Sequence, residues 1–64
     1  MTEKEILEKA NKVDGLGGMT VNERLYVTGL MNMFDNAKKN NKKLARLILK
    51  ALGIDKPSIY KILN

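Results

Sequence analysis

The sequence of 64 residues contains no cysteine, no histidine and no tryptophan, and only one proline. Without cysteine no disulfide can form, and without cysteine and histidine a structural zinc site is not expected. A chain this short buries only about 60% of the surface that its unfolded form exposes, so it is marginally stable alone. The means of stabilisation that are left are tight helix packing and self-association. The length predicts one small domain, residues 1–64.

The sequence also lacks long apolar runs. Residues 1–5 are mostly charged and do not resemble the apolar core of a signal peptide. No apolar stretch approaches the roughly 18 residues that would indicate a membrane span. Together with the missing cysteine, these features predict a soluble, cytoplasmic protein that does not contact a membrane.

Groups suited to catalysis are scarce. General acid–base and nucleophilic catalysis need a group whose pKa can be brought near neutrality beside an orienting partner. Histidine and cysteine are absent, and the hydroxyl residues Thr2, Thr20 and Ser58 stand at positions typical of helix caps or turns. We therefore expect no enzyme activity, no cofactor, no bound metal and no small-molecule substrate.

Acidic residues are scarce in the second half of the chain. Residues 1–37 carry six acidic and four basic side chains, a net charge of −2. Residues 38–64 carry eight basic side chains and one acid, a net charge of +7. A positive field at one end of a molecule favours an anionic or acidic partner, although it says nothing about the fold.

The first predicted helix runs from about Glu3 to Val13. Thr2 and Glu5 have the spacing of a capping box, in which each side chain accepts a hydrogen bond from a free backbone N–H. Apolar residues then recur at helical spacing. The glycine-rich residues 15–18 that follow predict a flexible linker, because a phosphate-binding glycine loop would follow a strand.

The longest predicted helix runs from about Val21 to Lys39. Thr20 and Glu23 repeat the capping box at its start. Its apolar residues cover more than the stripe of a surface helix, which indicates a central helix contacted on several sides. Gly29 costs such a helix about 1 kcal/mol relative to alanine. We expect another helix backbone to approach closely there.

Two shorter helices follow. The pair Asn40-Asn41 breaks the pattern and caps a helix from about Lys42 to Leu52, which Gly53 ends in the left-handed conformation. Asp55 caps the last helix, from Lys56 to Leu63. No segment has the alternation of a strand, so the predicted fold class is all-α. We expect a small bundle of three to four helices, with a long central helix at about residues 21–39 and a helical core over residues 20–64.

An apolar face of the predicted central helix suggests a protein interface. Met31, Met33 and Phe34 lie within one turn, next to Tyr26 and Leu30. Methionine is flexible and polarizable, and methionine-rich surfaces adapt to partners. These residues could simply fill the core, but a chain this small can hardly bury every side of so apolar a helix. Part of the face is therefore expected to contact a second copy or another protein.

The basic half carries a resemblance to a DNA-binding motif. The segment from Leu44 to Leu63 resembles a helix-turn-helix, most closely the C-terminal DNA-binding tails of resolvases and invertases. Its apolar and glycine positions are matched by Ile48, Leu52, Gly53, Ile54, Ile59 and Ile62. In that motif the second helix enters the major groove. The resemblance implies that five residues face bases or phosphates and that three contact the DNA backbone. The first group is Lys56, Ser58, Tyr60, Lys61 and Asn64, and the second is Lys42, Lys43 and Arg46.

A second resemblance covers about the middle third of the chain. The segment MTVNERLYxxGLMxxFDxA, residues 19–37, is similar to the opening of a group of short bacterial helical proteins of unknown function. Because the likeness begins at Met19, residues 1–18 are interpreted as an extension made of a short helix and a linker. The resemblance implies no substrate, cofactor or catalytic residue. It implies a polar cluster that we interpret as a helix cap and a surface pair: Asn22, Glu23, Arg24 and Tyr26.

Two functions remain. We expect a non-enzymatic helical module that binds another protein or itself, in the simplest case as a homodimer. The alternative is a helix-turn-helix type of DNA-binding protein that uses the basic C-terminal half of the chain.

Overall fold

A computed structural model describes residues 3–63 of the chain. It contains a short 3₁₀ turn, Leu16–Gly18, and five α-helices: α1 Glu3–Asn11, α2 Val21–Thr28, α3 Met31–Asn40, α4 Lys42–Ala51 and α5 Lys56–Leu63. Residues 3–63 include no strand, so the all-α prediction is confirmed, whereas the number of helices exceeds the predicted three to four. Two helices end slightly early, α1 before Val13 and α4 before Leu52. The predicted cap Thr2 lies outside the described residues.

The predicted continuous helix from Val21 to Lys39 is wrong, because the chain turns at Gly29. Gly29 has a φ of 73°, in the left-handed region. Its N–H donates to the carbonyl of Tyr26 at 3.1 Å, and the N–H of Leu30 donates to the carbonyl of Leu25 at 3.0 Å. This pair of hydrogen bonds is the Schellman motif, which ends a helix by satisfying its last free carbonyls.

Gly29 is therefore a helix stop and not a point of contact between helices. A Cβ built on Gly29 would meet no atom within 4 Å outside the adjacent residues. The predicted close approach of another backbone is wrong. What requires glycine at this position is the positive φ, which residues with a Cβ adopt at a cost.

Three other predicted boundaries are confirmed by hydrogen bonds or backbone conformation. The N–H of Glu23 donates to Thr20 Oγ1 at 3.2 Å, and the N–H of Thr20 donates to Glu23 Oε1 at 3.1 Å, which completes the capping box. Asn41 caps α4, because its Oδ1 accepts from the N–H of Leu44 at 3.2 Å. Gly53 has a φ of 82° just after α4.

The centre of the molecule is α4 and not the predicted helix at residues 21–39. α4 packs against α1, α3 and α5, whereas α2 packs mainly against α3. The buried face of α4 consists of Ala45, Ile48 and Leu49, all fully buried. The exposed residues of α4 are all charged. The other helices therefore pack against its apolar side, and its charged side faces solvent.

Arg24 joins the segment before α2 to the end of α4. Its Nε donates to the carbonyl of Met19 at 3.0 Å, its Nη1 to the carbonyl of Leu52 at 2.9 Å, and its Nη2 to the carbonyl of Gly17 at 3.5 Å. The planar guanidinium has enough N–H donors for several carbonyls at once. These bonds replace the predicted surface pair. They also hold a 3₁₀ turn in the segment for which the sequence predicts a flexible linker.

Candidate functional site

A groove of about 460 Å³ lies between α4 and α5 and has the start of α1 at its edge. Its polar lining comprises Glu3, Lys43, Arg46, Lys50, Lys56 and Tyr60. Its apolar lining comprises Leu47, Ile59 and Leu63. These nine residues define the basic groove. Among the described residues of the lining, four cations face one carboxylate, a net charge of +3.

α4 supplies three of the four cations because every exposed residue of this helix is basic. Those residues are Lys42, Lys43, Arg46 and Lys50. Residues three and four positions apart lie on the same side of a helix. Lys43, Arg46 and Lys50 therefore form a row along the groove. The buried face of α4 fixes the direction of this row, because it is packed against the core.

α5 supplies Lys56 and Tyr60, which lie one turn apart. Asp55 caps this helix, and a hydrogen bond from the side chain of Ser58 lowers the pKa of the Asp55 carboxyl below its ordinary value of 3.8. The N–H of Ile59 donates to the carbonyl of Asp55 at 3.0 Å, which is the first bond of the helix. The cap thus fixes where α5 begins and places Lys56 and Tyr60 at the groove.

Among residues 3–63, two carboxyl groups have a clearly lowered pKa, and both belong to the capping of a helix. Hydrogen bonds from the backbone N–H and then from the side chain of Thr20 lower the pKa of Glu23 below its ordinary value of 4.5. Asp55 behaves in the same way at the start of α5. Both groups are fully exposed and lie outside the groove lining. Their shifts have a structural cause and do not indicate a catalytic acid or base.

Four of the eight residues predicted to contact nucleic acid line the basic groove, namely Lys43, Arg46, Lys56 and Tyr60. A fifth, Asn64, lies outside the described residues. The other three do not line it. Lys42 and Lys61 are exposed elsewhere on the same helices, and Ser58 is half-buried and bonded to Asp55.

Lys50, Glu3 and the apolar lining of the groove are parts of the site that the sequence did not predict. Lys50 could have been found from the helical spacing that it shares with Lys43 and Arg46. Glu3 could not, because it reaches the groove only through the packing of α1 against α4.

The five residues predicted as a protein interface do not form one exposed face. Leu30 and Phe34 are buried in the core, at 0% and 5% exposure. Met31 and Met33 are half-buried and pack against that core. Tyr26 is 68% exposed and lies next to Val27 on α2. Only three of the predicted interface residues are therefore accessible to a partner.

Residues 3–63 hold no group of three or more histidine, cysteine, aspartate or glutamate side chains placed to bind a metal ion. Over the same residues, every buried side-chain nitrogen or oxygen has a hydrogen-bond partner. No helix in the described part of the chain combines the length and apolar character needed to cross a membrane.

Comparison of the chain with protein-family models, curated proteins and solved structures gives no significant match. The resemblances to resolvase tails and to short bacterial helical proteins therefore stay predictions.

Proposed function

We propose that the protein binds nucleic acid through the basic groove, without catalysing a reaction. The observation that carries the proposal is the exposed face of α4, on which every residue is a lysine or arginine. Three of those cations join Lys56 in a single groove. Nucleic acids carry a regular line of phosphates, and a row of cations on a rigid helix matches that line in charge and shape.

The link between α4 and α5 supports the same proposal. The two helices are joined by the four residues 52–55, and Gly53 lies in the left-handed conformation. A short turn that contains glycine is typical of helix-turn-helix units. Rigid helices on both sides keep Arg46 of α4 and Lys56 of α5 in fixed positions, which favours contact with a backbone of regular spacing.

The salt dependence of binding tests the proposal. If the four groove cations each neutralise one phosphate, the logarithm of the affinity for duplex DNA falls with the logarithm of salt concentration with a slope of roughly −3.6. Removing two of them, in the variant Lys43→Gln/Lys50→Gln, is expected to reduce that slope to roughly −1.8. Fluorescence anisotropy of a labelled oligonucleotide measures both values.

The matched control is Lys12→Gln/Lys39→Gln. Both residues are exposed and lie outside the groove lining, so this variant has the same net charge as the groove variant. It should bind almost as well as the parent protein. Equal losses in the two double variants would mean that binding follows net charge alone, which contradicts the proposal. The absence of binding at low salt would contradict it as well.

Association with another protein or with a second copy is the second candidate, and the exposed pair Tyr26 and Val27 favours it. These neighbours on α2 are 68% and 47% exposed, and half-buried Met31 and Met33 follow on α3. Sedimentation over a concentration series tests it. Self-association should increase with concentration and weaken in Tyr26→Ser. A protein that stays monomeric at high concentration would rule out the homodimer.

A further inference from the structure

The basic groove contains more than cations, and its other residues indicate what it holds. Leu47, Ile59 and Leu63 form an apolar part of the lining beside the lysines. A phosphate is charged and hydrated, so it gains nothing from apolar neighbours. A flat, weakly polar group attached close to the phosphate could pack against that apolar surface. The bases of a nucleic acid are such groups.

Tyr60 stands where such a group could stack. Its side chain is 70% exposed although it is one of only three aromatic residues in the chain. It lies one turn after Lys56 and faces the same groove as Lys43, Arg46 and Lys50. An aromatic ring beside a row of cations is the arrangement with which proteins bind single strands, because bases stack on the ring while phosphates follow the cations.

We infer that the basic groove binds single-stranded nucleic acid, with one base stacked on the ring of Tyr60 and the adjacent phosphates on Lys43, Arg46, Lys50 and Lys56. The inference rests on the proposed function and specifies its ligand. The groove volume of about 460 Å³ is within the range of sites that hold a small organic molecule, so it has room for a base.

A duplex fits the same groove less well. In a duplex the bases are paired and stacked, so the faces that would contact Tyr60 are covered. Reading base edges in the major groove commonly uses arginine, asparagine or glutamine. α5, with the sequence KPSIYKIL, contains none of these. Stacking accepts any base, so we expect weak sequence preference and similar binding of DNA and RNA strands.

Four labelled probes with the same number of phosphates separate these possibilities: a single strand, the same strand with abasic sites, a duplex, and inorganic polyphosphate. The full chain is used throughout. We expect the single strand to bind about 10-fold more tightly than the abasic strand, because the abasic strand keeps its phosphates but loses stacking. The duplex and polyphosphate should bind about as weakly as the abasic strand.

Variants of Tyr60 assign the effect to its ring. Tyr60→Leu is expected to bring single-strand binding down to the abasic level and to leave abasic binding unchanged. Tyr60→Phe keeps the ring and should bind nearly as tightly as the parent. The control is Tyr26→Leu, which removes an equally exposed tyrosine outside the groove and should change nothing.

Tyrosine fluorescence gives a second readout. The chain has two tyrosines and no tryptophan, so in Tyr26→Phe all emission comes from Tyr60. Stacking on a base should quench that emission with the single strand and not with the abasic strand.

Two outcomes would overturn the inference while leaving the proposed function intact. One is equal binding of intact and abasic strands. The other is tighter binding of the duplex with no effect of Tyr60→Leu. If no probe binds at low salt, the proposed function and this inference both fail.

Discussion

Arg24 shows how much of a residue's role depends on tertiary contacts. Within the sequence it stands next to the capping residue Glu23, and a surface pair is the simplest interpretation. In the structure its guanidinium contacts three carbonyls, one of them on Leu52, which is 28 positions away. No local pattern indicates that partner. The cap at Thr20 could be predicted because all its atoms lie within four residues.

Replacing Arg24 should destabilise the fold. We expect Arg24→Gln to lower the free energy of unfolding by about 1.5–3 kcal/mol, the usual value of hydrogen bonds made by a charged group in a partly buried site. Arg46→Gln is the control, because Arg46 is exposed and surface substitutions change stability by about 0.5 kcal/mol or less. Urea denaturation measures both variants. Equal midpoints would contradict the role assigned to Arg24.

At the scale of elements, the chain contains the same stop signal twice. Leu49 is followed four positions later by Gly53 and then by Ile54, whose N–H donates to the carbonyl of Leu49 at 3.1 Å. Leu25, Gly29 and Leu30 repeat this spacing and the same hydrogen bond. The stop at Gly29 is not apparent from the sequence because apolar residues at helical spacing continue on both sides of it. In such a pattern, a glycine inside a helix and a glycine at its end look alike.

The direction in which Gly29→Ala changes the free energy of unfolding distinguishes the two interpretations of Gly29. If residues 21–39 formed one helix, Gly29→Ala would stabilise it by about 1 kcal/mol. Because Gly29 has a φ of 73°, we expect Gly29→Ala to destabilise the protein by about 1 kcal/mol. Chemical denaturation gives the sign directly. A more stable Gly29→Ala variant would contradict the break between α2 and α3.

Gly17→Ala is the matched control for this experiment. Gly17 does not have a positive φ, and a Cβ at this position would meet no atom within 4 Å. Its replacement should change the free energy of unfolding by about 0.5 kcal/mol or less. A large loss at Gly17 would mean that the assay reports a general sensitivity to glycine replacement.

The helix caps predict how stability depends on pH. The pKa of Glu23 is lower in the folded protein than its ordinary value of 4.5, so the ionised carboxylate favours folding. This contribution is present above that value and is lost as the pH falls through the lowered folded-state pKa. Glutamine can also complete a capping box and does not titrate. Glu23→Gln should therefore lose less stability on acidification than the parent protein.

Denaturation midpoints at neutral pH and well below pH 4.5 test this expectation. Asp55→Asn should act in the same direction, because the pKa of Asp55 is also lowered and asparagine is a good cap. Identical acid sensitivity of Glu23→Gln and the parent would show that the Glu23 cap does not contribute to the pH dependence.

At the scale of the whole molecule, the break at Gly29 changes the functional interpretation. A continuous helix would leave part of its apolar surface uncovered, and that excess was the main reason to expect a protein interface. With the break, Leu30 and Phe34 are both buried in the core. Less apolar surface then needs a partner, which weakens the argument for a protein-binding face.

For the basic half of the chain, in contrast, the structure strengthens the argument for a binding site. The charge count indicates a basic partner-binding region, and the resemblance to a helix-turn-helix implies that Lys43 and Arg46 contact nucleic acid. The structure adds that α5 contributes Lys56 and Tyr60 to the same groove. Their proximity depends on the angle at which α4 and α5 meet, which the sequence of either helix does not determine. Part of the composition of the site could be predicted, namely Lys43, Arg46, Lys56 and Tyr60, but the rest of its lining and its shape could not.

Mapping the bound surface tests the central claim most directly. The 7.2 kDa chain suits nuclear magnetic resonance, and backbone amide shifts can be followed while an unlabelled single-stranded oligonucleotide is added. We predict that the largest changes occur at Lys43, Arg46 and Lys50 of α4 and at Lys56 and Tyr60 of α5. Changes centred on Tyr26 and Val27 of α2, or no changes at low salt, would contradict it.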